Sequence, residues 1–581
     1  YLYNIYIKMF GANEEIGETL EPEIGNQNET KSKKKLFIII GIVAVVVIAA
    51  AIAVVVVLTK GGDNDSKNNQ NEDSKEMKIN LSTISLPEDI IIDDGHYLFD
   101  GNIFICYNRT NSNYKYFGII SDDGKNFKEL YGDEFIISGK ANGIRLIPFR
   151  DNKRVYLGDF VFECNDTTKI LSECEKGLLI PVNYPSKVVN DKYTYKTWSE
   201  MVVAPDNIHV AWTSLNLACG AINFIGKFER KEDSYEIIEP KIISTINFIE
   251  KDPNNATILI PKTPRGGEIK QFIEGGNALT LVGTLPDTFV KSVYQSLTSD
   301  EIYAYSHETG YEETSILSPD EKLGIAMSTR FSPNTSMSIL GLMPRPYGSL
   351  ILAKMAQNVY TYAITGVREG RKGNIGPVLF DKERSMKDSN YQGIDLHDKE
   401  EIYRFCSPIS WHPSNLKALW PETDVHKNRR LRKLEINNYT PSEYPKIQNT
   451  TDNIPYALDM TEFDKIHFEE EMDGFIKGKY SGEIEYINSG DSADYSKKQT
   501  VKVIYNNYSD DGKKFYNGEE FYEGSALSGC TFISNVNLTG TETGQNNFTL
   551  SFSAQSKLIK DKTEGYATYG GKTIRAENYL E

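Results

Sequence analysis

Three stretches of the chain share one form: a short apolar run, a turn opened by Pro and then Asp or Ser, and a second apolar run. They are Glu200-Met-Val-Val-Ala-Pro-Asp-Asn-Ile-His-Val-Ala-Trp-Thr213, Ser315-Ile-Leu-Ser-Pro-Asp-Glu-Lys-Leu-Gly-Ile-Ala-Met327 and Pro408-Ile-Ser-Trp-His-Pro-Ser-Asn-Leu-Lys-Ala-Leu-Trp420. Proline presets φ for the turn, and the Asp or Ser beside it hydrogen-bonds local backbone. Each unit therefore reads as a β-hairpin. A single hairpin cannot bury its own apolar face, so its return along the chain points to a circular array of small sheets. The turn prolines, Pro205, Pro319 and Pro413, stand 114 and 94 residues apart. Each gap is about two units of ~50 residues, the size of a four-stranded propeller blade. This spacing predicts a β-propeller of about seven blades over residues 82–458.

The rest of the chain agrees with an all-β reading. Tyr (35) and Phe (26) are frequent, and both favour strands. Short alternating or apolar runs, such as residues 102–107, 116–121 and 154–164, are bounded by Gly, Asn, Asp and Pro. No strong amphipathic helix interrupts them. From about residue 461 the turn motif stops. Residues 475–487, 500–505, 530–538 and 547–552 read as strands, with Asp510-Asp511-Gly512 and Tyr569-Gly570-Gly571-Lys572 as hairpin turns. Residues 459–581 are expected to form a small C-terminal β-sandwich.

Residues 36–58 carry no charge or strongly polar group. As a helix rising ~1.5 Å per residue they cross a ~30 Å hydrocarbon core. Lys31, Lys33, Lys34 and Lys35 directly precede them. The positive-inside rule then puts a polar tail, residues 1–35, in the cytosol. A flexible stalk, residues 59–81, and the folded domains lie outside the cell or in the lumen. The chain opens on Tyr1, with Met9 a candidate start. Exterior placement agrees with Asn-x-Ser/Thr sequons at Asn80, Asn108, Asn165, Asn255, Asn334, Asn438, Asn449, Asn507, Asn537 and Asn547. All six cysteines follow the apolar segment. Cys164 and Cys174, ten residues apart in strand-like flanks, are the expected disulfide. Cys106, Cys219, Cys406 and Cys530 are left unassigned. A net charge of -17 and a pI near 5.1 argue against nucleic acid as a partner.

Several stretches resemble the fungal saponin hydrolases. They are Arg154-Val-Tyr-Leu-Gly-Asp-Phe-Val-Phe-Glu-Cys164 with its short loop to Cys174, Leu179-Ile-Pro-Val-Asn-Tyr-Pro185, and the Trp198-Ser-Glu opening of the first hairpin. Gly266-Gly-Glu-Ile-Lys-Gln-Phe272 and Asn507-Tyr-Ser-Asp-Asp-Gly-Lys-Lys-Phe-Tyr-Asn-Gly518 complete the set. The likeness spans roughly residues 85–581. It implies a glucuronidase that releases a triterpenoid aglycone from a saponin, here carried on a membrane anchor. The hairpin repeat alone resembles the wider TolB-type and dipeptidyl-peptidase-type propellers.

The inventory of reactive residues narrows the chemistry. The chain has no Gly-x-Ser-x-Gly elbow, no His-Glu-x-x-His and no Gly-x-x-x-x-Gly-Lys-Ser/Thr loop. Neither a Cys-x-x-Cys nor clustered His calls for a metal, and no cofactor is expected. Carboxylates, arginines and aromatics remain, and glycoside cleavage needs two carboxyls, one a protonated acid and one a base or nucleophile. Residues just before the inner strands of a propeller stand at one channel mouth. Glu200 and Glu313 hold such places and form the expected catalytic pair, with solvated or interblade glutamates as the alternative. A glucuronide carboxylate needs a fork-like cation, for which Arg330, Arg345 and Arg404 are candidates. His307 is a candidate proton shuttle or a structural loop histidine, and Trp198 a stacking surface. Trp411 reads as core, and Lys427-Asn-Arg-Arg-Leu-Arg-Lys433 as a solvated loop. The leading expectation is a glycoside hydrolase acting on a saponin-like glycoside. Its rivals are a non-catalytic propeller that binds glycans or proteins, and a structural surface protein acting through its C-terminal domain.

Overall fold

A computed structural model describes residues 77–580 except 111, 113, 132–144, 200, 217–219, 247, 286–288, 307, 333, 369–375, 389, 398–402, 407, 425, 427, 467–471, 491–497 and 526–527. The expected cytosolic tail and membrane helix lie outside the described residues. Among those described, no helix is long and apolar enough to cross a membrane.

Six antiparallel blades follow one another along the chain, over residues 90–131, 146–183, 194–242, 268–304, 312–395 and 404–437, the second and third joined by a parallel bridge of Tyr235 and Glu236 to Val182 and Asn183. The last sheet takes its outer strand from the start of the described chain, Lys78–Thr83, which pairs antiparallel with Arg429–Asn437. This strand falls within the stretch expected as a stalk; Ile79 and Leu81 turn alternate side chains onto the last blade's core. Neighbouring sheets pack face to face through six apolar seams. Phe104 and Phe117 meet Leu146 and Phe162 between blades 1 and 2, and Tyr156 and Ile180 meet Trp212 and Phe224 between blades 2 and 3. Val202 and Ile225 meet Ile269 and Leu281, and Ala278 and Tyr294 meet Leu317 and Phe380. Ile325 and Leu379 meet Trp411 and Trp420, and Leu419 and Leu431 return to Ile92 and Ile105 of blade 1. The sixth seam closes the ring, so the all-β expectation holds as a β-propeller.

The described residues form six blades where about seven were expected. The 114-residue gap from Pro205 to Pro319 does span two blades. The 94-residue gap from Pro319 to Pro413 spans one, enlarged by the helix Ser349–Arg368 between Leu323–Ser328 and Gly376–Asp381. The first turn of each blade carries a residue with positive φ: Gly101 (87°), Asn152 (58°), Asn207 (63°), Gly275 (67°), Glu321 (59°) and Asn415 (61°). Three of these six turns contain the proline that betrayed the repeat.

The segment after blade 6 runs back across this face of the ring. Tyr439 Oη and Ser442 N donate to Asp320 in the blade 5 turn. Gln448 N reaches Gly275 O in blade 4, and Thr450 N reaches Asp206 in blade 3. Tyr444 lies against Arg150 of blade 2, whose guanidinium also covers Phe99 of blade 1. The segment then pairs Leu458–Asp459 with Ile242 and Lys241 at the rim of blade 3.

The C-terminal part is one continuous sheet where a sandwich was expected. Eight strands from Gly474–Lys477 to Lys572–Arg575 pair in sequence order. A hairpin from between blades 3 and 4, Ile249–Asp252 and Asn255–Pro261, extends the edge through a parallel bridge of Ile258 to Phe475. No second sheet is needed, because the inserted helix covers the apolar face. Ile351, Met355, Val359 and Tyr362, at helical spacing, pack against alternate residues of the sheet such as Val501, Val503 and Phe532.

Candidate functional site at the channel mouth

The face opposite the strap is where the inner strands begin. Arg145 directly precedes the inner strand of blade 2, Leu146–Pro148. Trp198 stands ahead of Val202–Val203 in blade 3, with its backbone N–H on Thr213 O at 2.8 Å. Glu268 opens Glu268–Ile273 of blade 4, and Glu313 is the second residue of Glu312–Leu317 in blade 5.

Local structure fixes these carboxylates. Gly267, at φ 122°, lies so close to Val282 O that a Cβ would stand 2.0 Å from it. Only glycine fits this approach. Thr213 of blade 3 then ties the strand start: its hydroxyl accepts from Ile269 N at 3.0 Å and reaches Gly267 O at 3.4 Å. Bulges break the ladder between Ile269 and Gln271 and between Glu313 and Ser315. Such bulges bend a strand and re-aim its side chains. Lys270, at the first bulge, folds onto Glu268, Nζ to Oε2 at 2.7 Å. Tyr311 Oη donates to Glu313 Oε2 at 2.6 Å.

The two carboxyls differ in proton affinity. Burial, then the negative charge of Glu268, raises Glu313 above its ordinary 4.5; Lys270, the Tyr311 hydrogen bond and Arg145 only partly oppose this. Burial would also raise Glu268, but Lys270, Arg145 and a hydrogen bond from Trp198 outweigh it and leave that carboxyl below 4.5. Glu268 keeps 28% of its side chain exposed, whereas Glu313 is 8% exposed. Groups from blades 2, 3, 4 and 5 thus meet in one electrostatic cluster. A carboxyl raised in proton affinity beside one lowered by two cations is the pairing that acid–base chemistry uses.

The expected site residues separate. Glu313 and Trp198 belong to this cluster. Glu200 and His307 lie outside the described residues. Arg330 is an interior group: its Nη2 is 2.5 Å from Glu312 Oε2, and both side chains are buried. Ser292 and Ser306 donate to the same carboxylate. Arg345 is also interior, with Nε 2.8 Å from Glu520 Oε1 of the C-terminal sheet and Nη1 on the carbonyls of Leu340 and Met343. Arg404, half-buried, sits in the short strand Arg404–Phe405 of blade 6. Trp411 is core, donating to Ile316 O of blade 5. From Arg429 on the basic run is a strand and not a loop, with Arg429 paired to Asp93, Arg430 to Glu422 and Lys433 to Glu435; Lys427 lies outside the described residues. Cys164 and Cys174 form the expected disulfide. Cys106 and Cys530 are free thiols, Cys406 Sγ lies 3.8 Å from Arg404 O, and Cys219 lies outside the described residues. No cluster of metal-ligating side chains occurs among the described residues.

Glu268, Lys270, Arg145 and Tyr311 were not singled out from sequence. Glu268 and Lys270 sit inside the Gly266–Phe272 stretch, directly after its Gly-Gly pair. Arg145 follows directly on residues outside the description and has no such pair before it.

No protein-family profile matches the chain, and no curated protein matches it. Solved structures with partial overlap include a TolB protein from Agrobacterium tumefaciens, at 9% identity and a TM-score of 0.31, covering 54% of this chain and 83% of that one. An oligogalacturonate lyase from Vibrio parahaemolyticus gives 10% identity and a TM-score of 0.33 over 62% of this chain and 97% of that one. The β-propeller domain of the Trilobed protease from Pyrococcus furiosus gives 8% identity and a TM-score of 0.24 over 72% and 95%. Overlaps this slight carry no statement about activity.

Proposed function

We propose that the channel mouth is a glycoside-cleaving site for a glucuronide of a bulky, saponin-like aglycone. The observation that carries this reading is the opposed tuning of two neighbouring carboxyls, Glu313 upward and Glu268 downward. Glu313 is the general acid that protonates the leaving oxygen. Glu268, ionised and more exposed, is the base or nucleophile. Arg145 and Lys270 supply the positive field that a uronate carboxylate needs. The indole of Trp198 offers an aromatic face beside them. The domains carrying this mouth face the exterior or lumen on a single membrane anchor.

The leaving group tests the assignment. An alkyl or terpenoid oxygen leaves poorly without a proton, whereas 4-nitrophenolate leaves unaided. Glu313→Gln is expected to lose roughly 10²–10⁴-fold in kcat on an alkyl glucuronide and far less on 4-nitrophenyl glucuronide. Glu268→Gln is expected to lose activity on both. Equal losses in Glu313→Gln on the two substrates remove Glu313 as the acid. If the wild-type chain cleaves neither but binds glucuronate, the mouth is a sugar-binding site without catalysis.

A further inference from the structure

Glu308, Gly310 and Tyr311, which lead into blade 5, are held by several hydrogen bonds. Lys291, buried at the start of the third strand of blade 4, donates Nζ to Gly310 O at 2.7 Å. Gly310 N donates to Glu308 Oε1 at 3.0 Å. Tyr311 is then clamped on both backbone groups: its N–H reaches Ser336 O at 2.8 Å, and its carbonyl accepts from Thr329 N at 3.1 Å and Thr329 Oγ1 at 2.9 Å. Its ring is 3% exposed and lies 6.2 Å, centroid to centroid, from Tyr360. Tyr360 belongs to the inserted helix, which the C-terminal sheet covers. The one polar atom of this immobilised ring is directed at Glu313 Oε2, 2.6 Å away.

We propose that Tyr311 is the positioning residue of the mouth: its hydroxyl orients Glu313 and sets its acidity, and the C-terminal module holds Tyr311 in place through Tyr360. This rests on the assignment of Glu313 as the acid. A phenol that donates to a carboxylate favours the ionised form. Tyr311 therefore counteracts the burial and the Glu268 charge that push Glu313 upward, and keeps the acid able to release its proton. The other groups facing Glu313 are Lys270 and Glu268 on the inner strand of blade 4 and Arg145 from blade 2. Tyr311 shares its core with the inserted helix and the C-terminal sheet, so it is a link by which that module reaches the chemistry.

The test is a titration of Glu313 in the full chain by infrared difference spectroscopy, with Glu313→Gln marking its band. Tyr311→Phe keeps the ring and removes the donor. A hydrogen bond to a charged group corresponds to roughly one to two pH units, so the midpoint should rise by that much. Tyr360→Ala should move it the same way by less. In a pH–rate profile on an alkyl glucuronide, the basic limb of Tyr311→Phe should shift upward with the titration. An unmoved midpoint in Tyr311→Phe overturns the proposal, and one unmoved in Tyr360→Ala alone overturns the part given to the module. A midpoint that shifts in a protein cleaving no glycoside leaves Tyr311 as the tuner of Glu313 and sinks the glycosidase reading instead.

Discussion

At the residue scale the molecule separates charges that look alike in sequence. Arg330 and Arg345 each follow apolar strand or turn residues, as a substrate-binding arginine would, yet both are consumed by buried glutamates. Glu312 remains below its ordinary 4.5 although burial alone would raise it, because Arg330 and then Lys291 hold it ionised, with Ser292 and Ser306 donating to it. A buried ion pair recovers its desolvation cost only while both partners and their hydrogen bonds are present. Arg330→Met is accordingly expected to cost about 3–5 kcal/mol in denaturant unfolding. Arg330→Met with Glu312→Gln should recover part of that, since Glu312 no longer carries an unpaired charge, although buried Lys291 loses its counter-charge. If the single variant is as stable as the wild type, Arg330 is available to substrate after all. Glu313 was singled out as preceding an inner strand and stands at the second residue of that strand. Glu268 was within reach through the Gly-Gly that precedes it, since a backbone approach which forbids a Cβ often fixes a neighbouring functional group. Arg145 was not, because it reaches the cluster from blade 2 only after the ring has closed; Tyr311 acts two residues along its own chain, but nothing in sequence sets it apart from the other tyrosines.

At the scale of elements the first turn of each blade is the repeating device, and its physics explains both what sequence revealed and what it hid. The turn needs one residue at positive φ, which Gly and Asn tolerate. Proline is an accessory, present in three of six copies. Reading the prolines found blades 3, 5 and 6 and passed over Asp100-Gly101, Asp151-Asn152 and Glu274-Gly275. Successive turns are also stitched together: Asp151 N donates to Asn207 Oδ1, Glu274 N to Glu321 Oε1 and Asp320 N to Asn415 Oδ1. The strap after blade 6 is latched to this ring at His209, whose Nδ1 is 2.6 Å from Asp206 Oδ2 and whose Nε2 is 3.2 Å from Asp452 Oδ1 of the strap. Burial disfavours the imidazolium, but the two aspartates outweigh it and raise His209 above 6.5. A raised histidine contributes stability that is full below its unfolded value of 6.5 and is lost as pH rises through the folded one. Asp206 is shifted the other way: burial is outweighed by the hydrogen bonds from His209, Ile208 and Thr450. Its contribution is present above 3.8 and is lost as pH falls below it. The stability difference between wild type and His209→Gln should therefore be largest between these limits and shrink above pH 6.5. A difference that stays constant from pH 5 to 9 would show that His209 acts by packing alone.

At the scale of the whole molecule the propeller and the C-terminal sheet are not independent folding units. The character of the sequence changes near residue 461, but a boundary in sequence is not a boundary in packing. The apolar face of the last sheet is satisfied by a helix that leaves the chain a hundred residues earlier, inside blade 5. That insertion also accounts for the extra blade expected from the Pro319–Pro413 spacing. The helix periodicity of residues 349–368 sits in the one interval where a strand repeat was anticipated, so it was read through. The shared core joins Met327 and Met337 of blade 5, Phe289 of blade 4, Ile351 and Val359 of the helix and Val503 and Phe532 of the sheet in a single cluster. Removal of the sheet would bare the apolar stripe of the helix, and exposed surface of that kind drives association. A chain ending at Asp459 is therefore expected to aggregate, although all six blades remain intact in it. Ser328 and Gly376, which bracket the insertion, are paired directly across adjacent strands, so a short Gly/Ser linker can replace residues 341–374 without straining blade 5. The doubly trimmed chain, without the insertion and ending at Asp459, should recover solubility and the β-sheet circular dichroism of a propeller. Its Glu313 should titrate higher than in the full chain, as in Tyr360→Ala, because Tyr360 no longer holds Tyr311. Recovery of soluble protein by the first truncation alone would mean that the propeller closes without its C-terminal cover and that the shared core is dispensable.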